Sequence, residues 1–221
     1  MKASIDFFRK ARLYKLASAL ALVTIFYNLL EGMVSVYFGL EDETIALFGF
    51  GVDSFVEVIS GIGIWHMVRR LRQIGENNSC GNDNPDIFER QALRITGTAF
   101  YILAAGLVLS SLINLYTGHK PSTTFWGIVI SSISILTMWI LIHYKVKVGR
   151  ELNSSAILAD AACTKVCLQL SLVLLLSSLG YELTGIGGMD SIGAIGIAWF
   201  SYREGKEAFE RASGLGCNSC L

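Results

Sequence analysis

The chain has 221 residues, 52% of them hydrophobic and 16% charged, with a formal net charge of zero and a mean hydropathy of +0.52. That balance argues against a soluble globular domain or a nucleic-acid binder and points to an integral membrane protein. Five cysteines, two inside an apolar run and two at the far C-terminus, argue against a secreted disulfide framework.

The chain opens on a basic amphipathic segment, residues 1–13, with Lys2, Arg9, Lys10 and Arg12. The apolar run behind it is too long for the core of a cleavable signal, so it reads as a first membrane helix. Six apolar segments follow, at about residues 14–39, 44–67, 92–117, 123–143, 154–179 and 191–202. Most reach the roughly 20 residues a helix needs to span a bilayer. The last is short and rich in glycine, and spans only if its helix begins near Ile186 and continues past Trp199. The expected fold is therefore all-α and polytopic, with six transmembrane helices in residues 14–202. Pro85 and Pro121, the two prolines of the chain, both fall between apolar runs. Basic residues crowd the N-terminus and the connections after the second, fourth and sixth segments (Arg69, Arg70, Arg72, Lys145, Lys147, Arg150, Arg203, Lys206), whereas the other connections hold Lys120 alone. Both termini are thus expected in the cytosol. Residues 73–89 read as a polar flexible connection, and residues 203–221 as a short cytosolic tail, too short for a folded domain.

The second segment carries Asp53 and Glu57 inside its apolar run. The i, i+4 spacing places both carboxylates on one helix face. A charge at the bilayer centre costs roughly 2.5 kcal/mol or more, so two together call for a neutralising cation. The fifth segment supplies matching donors, because Cys163 and Cys167 repeat the spacing. At about 1.5 Å per residue, Asp53 lies roughly 13 Å and Glu57 roughly 20 Å from the outer end of their segment. Counted from the inner end of theirs, the cysteines reach a similar depth, so both pairs meet the midplane of a core about 30 Å thick. Two carboxylates and two thiols suit a four-coordinate divalent ion, with zinc accepting both donor types and thiolates favouring softer ions.

These residues resemble the cation diffusion facilitator family of divalent-metal transporters. The likeness rests on Val52-Asp53-Ser54-Phe55-Val56-Glu57, where the family typically has Asp-x-x-x-Asp. It rests also on Ser155-Ala156-Ile157-Leu158-Ala159-Asp160-Ala161 with the pair that follows, and on Asp190-Ser191-Ile192 and Gly205-Lys206-Glu207-Ala208 around the sixth segment. The resemblance implies six membrane helices, a midplane metal site at Asp53, Glu57, Cys163 and Cys167, a homodimer, and metal efflux rather than uptake. Cys163 and Cys167 stand where the family usually has His and Asp, so the metal cannot be carried over. The family's C-terminal cytosolic domain is not expected here, which makes this a member limited to the membrane domain.

Other residues carry secondary expectations. Lys165 lies between the thiols in sequence but about 200° round the helix from Cys163, so it should face away from them. It either pairs with Glu31 on the first segment or displaces the cation. Asp160, one turn before Cys163, reads either as an entry acid on the cytosolic approach or as an acid that supports the ligands from behind. Cys217 and Cys220 form a C-x-x-C in the tail, half a zinc site that either hands metal to the pore or is shared between subunits. Cys80, His66, His119 and His143 have no partner at ligand spacing.

The expected activity is transport of zinc, cadmium or another soft ion by alternating access, with protons as counter-ion and no prosthetic group or enzymatic reaction. The setting is the cytoplasmic (inner) membrane in a prokaryote. The alternatives are a membrane thiol oxidoreductase using Cys163 and Cys167, and a membrane metal sensor that carries no flux.

Overall fold

A computed structural model describes residues 2–76, 87–118, 120–152 and 154–213. They form six helices and, among the described residues, no strand: α1 Lys2–Glu41, α2 Ile45–Glu76, α3 Ile87–Thr117, α4 Phe125–Leu152, α5 Ser155–Thr184 and α6 Gly188–Ala212. The helices overrun the apolar segments at their basic ends. Residues 2–13 belong to α1, and residues 203–212, expected as tail, belong to α6. The expected connection 73–89 is helical at both ends, since α2 continues to Glu76 and α3 starts at Ile87. The hydropathy of a membrane segment ends where the interface begins, but helical hydrogen bonding does not need apolar side chains to continue.

Among the described residues, five stretches are long and apolar enough to cross a membrane: Arg12–Glu41, Ile45–Arg70, Leu93–Thr117, Phe125–Leu152 and Asp160–Thr184. The sixth differs from them in composition rather than length. The 25 residues of α6 rise roughly 37 Å at 1.5 Å each. Its second half carries Arg203, Glu204, Lys206, Glu207 and Glu210, while Ala194, Ile197 and Ala198 of its first half are buried against α2 and α5.

The bundle is turned inside out relative to a soluble protein. Ile102, Trp139 and Leu176 are 69%, 64% and 63% exposed, while Asp53 and Lys145 are 2% and 1% exposed. An apolar shell round a polar interior belongs in lipid, where helices have no apolar incentive to associate and polar groups must be satisfied inside the bundle. The chain is an integral membrane protein.

Helices α2 and α5 occupy the middle: α2 packs against α1, α3, α5 and α6, and α5 against α2, α4 and α6. Close approach depends on small residues. A methyl group at Gly51 would stand 2.7 Å from the backbone nitrogen of Val36, and one at Gly39 2.6 Å from that of Phe48, so α1 and α2 touch backbone to backbone. Gly51→Ala is therefore expected to cost about 1–3 kcal/mol, the usual price of overpacking where the neighbour cannot swing aside. A lowered unfolding midpoint in detergent checks this, and an unchanged midpoint would contradict the close approach.

At the outer ends, Asp190 in the first turn of α6 accepts hydrogen bonds from the backbone N–H groups of Ile45 (2.9 Å) and Ala46 (3.2 Å). These are among the donors a helix start leaves without an intrahelical partner, and a carboxylate there also meets the positive end of the helix dipole. The clamp joins the starts of α2 and α6, which then run side by side into the bundle.

Candidate metal centre

Asp53 and Glu57 share the inner side of α2 but not the same neighbours. Four residues advance a helix by about 400°, leaving the two side chains some 40° apart. Asp53 Oδ1 accepts a hydrogen bond from the hydroxyl of Ser201 on α6 at 2.8 Å. Glu57, on the same side, reaches α1 and α5 instead and bridges the two. Its Oε1 accepts from Cys167 Sγ on α5 at 2.7 Å, and its Oε2 accepts from Asn28 Nδ2 on α1 at 2.9 Å.

Cys167 is buried, and its Sγ also lies 3.4 Å from the carbonyl oxygen of Cys163. Cys163, one turn towards the start of α5, is half-buried, and the two are not joined by a disulfide. Ser171 Oγ donates to the Cys167 carbonyl at 2.8 Å and lies 2.8 Å from Ser134 Oγ, which ties this turn of α5 to α4. Of the four expected ligands, Glu57 and Cys167 meet directly, while Asp53 is held on the α6 side. Among the described residues, no three His, Cys, Asp or Glu side chains are gathered closely enough to hold a metal ion.

Three further expectations are decided by packing. Lys165 does not meet Glu31. It is exposed on the outer face of α5, while Glu31 is buried and accepts hydrogen bonds from Tyr27 at 3.0 Å and Ser54 at 3.3 Å. The rotation that turns Cys163 and Cys167 inward necessarily turns Lys165 out. Asp160 is buried and bound to Lys145 of α4 at 2.8 Å, with the same ammonium donating to Thr164 Oγ1 at 2.9 Å. A tethered cation already holds that acid, so it does not stand open to ions arriving from the cytosol. Cys217 and Cys220 lie outside the described residues, as does Cys80.

Sequence reasoning missed Ser201, Lys145 and the contact of Asn28 with Glu57. Lys145 was counted with the cytosolic basic residues, although it is 1% exposed. Asn28 carried a signal, as an amide inside an apolar run three residues before Glu31. Ser201 carried none, since serine is common in membrane helices.

The arrangement can do definite chemistry. A buried thiol and a half-buried carboxylate from two helices, in contact, present a soft and a hard donor to the same point. A divalent ion entering there displaces the thiol proton, because only the thiolate binds metal.

Comparison with known proteins fits this chemistry. Residues 88–210, more than half of the chain, match the cation efflux transmembrane domain. The match covers Cys163 and Cys167 but begins after Asp53 and Glu57. The chain is also 23% identical over 149 residues to the manganese efflux system protein MneP of Bacillus subtilis (strain 168), an alignment that takes in 66% of this chain and 48% of the relative. The chain thus spans about half the length of the curated relative it matches. With its helical membrane bundle and its match over α3 to α6, the chain belongs to the cation efflux family.

Proposed function

We propose that the protein exports a divalent transition-metal ion across the membrane, in exchange for protons, at a site made by Asp53, Glu57, Cys163 and Cys167. The observation that carries this reading is the contact between Cys167 and Glu57, two ligand-type groups from the two central helices held 2.7 Å apart inside the bundle.

Charge supports it. Glu57 and the Cys167 thiolate together carry the two negative charges that cancel a divalent ion, in a setting where unpaired charge is costly. Loading releases the proton of each thiol that joins the ion, Cys167 first and then Cys163, and unloading takes protons back, so exchange follows from the ligands themselves. Asp53 leaves the Ser201 hydroxyl to join the ion, and Cys163 closes the set from the cytosolic side. The distribution of Lys and Arg puts both ends of the chain in the cytosol, so the ion travels towards the connection between α1 and α2.

The thiols favour zinc, cadmium or another soft ion, whereas the relative just described is a manganese efflux protein. Flux into sealed proteoliposomes decides between them, with Zn²⁺, Cd²⁺, Mn²⁺, Co²⁺ and Cu⁺ offered outside, with and without an acidic lumen. Saturable uptake of one or a few divalent ions, faster with the acidic lumen, is the expected result. No flux of any ion from folded protein would overturn the proposal. Binding should also strengthen as pH rises, by about tenfold per unit for each proton released, which calorimetric titrations at several pH values measure. A pH-independent affinity would remove the thiol proton from the exchange.

A further inference from the structure

We infer that Asn28 of α1 supplies an oxygen ligand to the transported ion and sets how far the site accepts harder ions. The inference rests on the metal site proposed above and adds a third helix to it.

The observation is an orphaned atom. Asn28 is 1% exposed, its Nδ2 donates to Glu57 Oε2 at 2.9 Å, and its Oδ1 has no hydrogen-bond partner among the described residues. A buried carbonyl left unpaired costs about 1–3 kcal/mol, and such a group calls for a partner. The nearest polar groups along the same face of α1 are already engaged. Thr24 Oγ1 donates to the Leu20 carbonyl, and both carboxylate oxygens of Glu31 accept bonds from Tyr27 and Ser54.

The amide is suited to a site that alternates between loaded and empty. In the arrangement observed, its N–H satisfies the Glu57 carboxylate. A half turn about the last side-chain bond exchanges Nδ2 for Oδ1 and presents a neutral oxygen beside the same carboxylate, where a cation bound by Glu57 and Cys167 would lie. One side chain thereby answers a bare carboxylate with a donor and a metal-bound carboxylate with an acceptor. An amide carbonyl is a hard donor, of the kind that suits Mn²⁺, whereas the thiolate beside it suits Cd²⁺. Asn28 therefore pulls selectivity against the cysteines.

The test is calorimetric binding of Mn²⁺ and of Cd²⁺ to the full chain in detergent, for the wild type, Asn28→Leu, Asn28→Asp and Glu57→Gln. Asn28→Leu keeps the branched outline of the side chain, at some gain in volume, and removes the oxygen. It should weaken Mn²⁺ about tenfold or more, while Cd²⁺ changes by less than about threefold. Asn28→Asp keeps an oxygen and should raise the ratio of Mn²⁺ to Cd²⁺ affinity. If Asn28→Leu fails to fold, the aspartate variant carries the test, and an unchanged ratio overturns the inference. Equal effects on both ions, or none, would also overturn it and leave Asn28 as a clamp between α1 and α2. The two readings fail separately. Glu57-dependent binding that ignores Asn28 sinks only this inference, whereas wild-type binding that Glu57→Gln does not weaken sinks the site and this inference with it.

Discussion

Glu57→Gln is expected to abolish metal-driven flux while leaving the bundle folded. Glutamine keeps the length and shape of the side chain, can still accept from Asn28, and can face Cys167 with a neutral group. What it loses is the negative charge that a divalent ion needs. Losing a group that only orients a metal ligand typically costs about 10–100-fold in affinity, so losing a ligand itself should cost more than that. The measurement pairs proteoliposome flux with an elution profile and unfolding midpoint in detergent. Flux within a few-fold of wild type from a folded variant would remove Glu57 from the site. Asp53→Asn supplies the companion result. Its carboxylate contacts Ser201 on α6, away from the partners of Glu57, so flux that survives there but not at Glu57 would narrow the site to the junction of α1, α2 and α5.

The second large effect is on stability. Lys145→Met should destabilise the bundle by about 3–5 kcal/mol, because it leaves the Asp160 carboxylate buried without its cation. The pair lies between α4 and α5, 2.8 Å apart, with side chains 1% and 8% exposed. Replacing both partners, Lys145→Met with Asp160→Leu, removes the ions together and should recover most of the loss, since apolar substitutes for a buried pair are often neutral or better. Unfolding midpoints of the two single variants and the double variant form the cycle that isolates the coupling. Equal losses in single and double variants would mean that Asp160 has another partner. Flux of the folded double variant adds a second answer. If transport persists, the pair only fastens α4 to α5. If it vanishes, the ammonium lies on the path of the ion.

The two variants separate what was legible in the residues from what was not. Glu57 was recognisable, because a carboxylate in an apolar run is costly at any orientation of its helix. Its spacing from Asp53 and the matching spacing of the cysteines suggested the same depth without any knowledge of packing. The burial of Lys145 was not legible, because its neighbours Lys147 and Arg150 made one basic stretch of it. Burial of one cation among three depends on where α5 lies, which the order of residues in α4 does not reveal. Its pairing with Asp160 was hidden for the same reason from the other side.

The sequence by itself determined the membrane setting, the apolar core of the helices and the common level of Glu57 and Cys167. Each follows from transfer cost and helical rise, which act along one chain segment at a time. The tertiary structure decided which helix each donor faces: Asp53 towards α6, Glu57 towards α1 and α5, Lys165 out of the bundle and Asn28 into it. In lipid the apolar residues are at home on every side of a helix, so their pattern says little about its rotation. That rotation is settled by close backbone approach at residues such as Gly51, and by the need of every buried polar group for a partner.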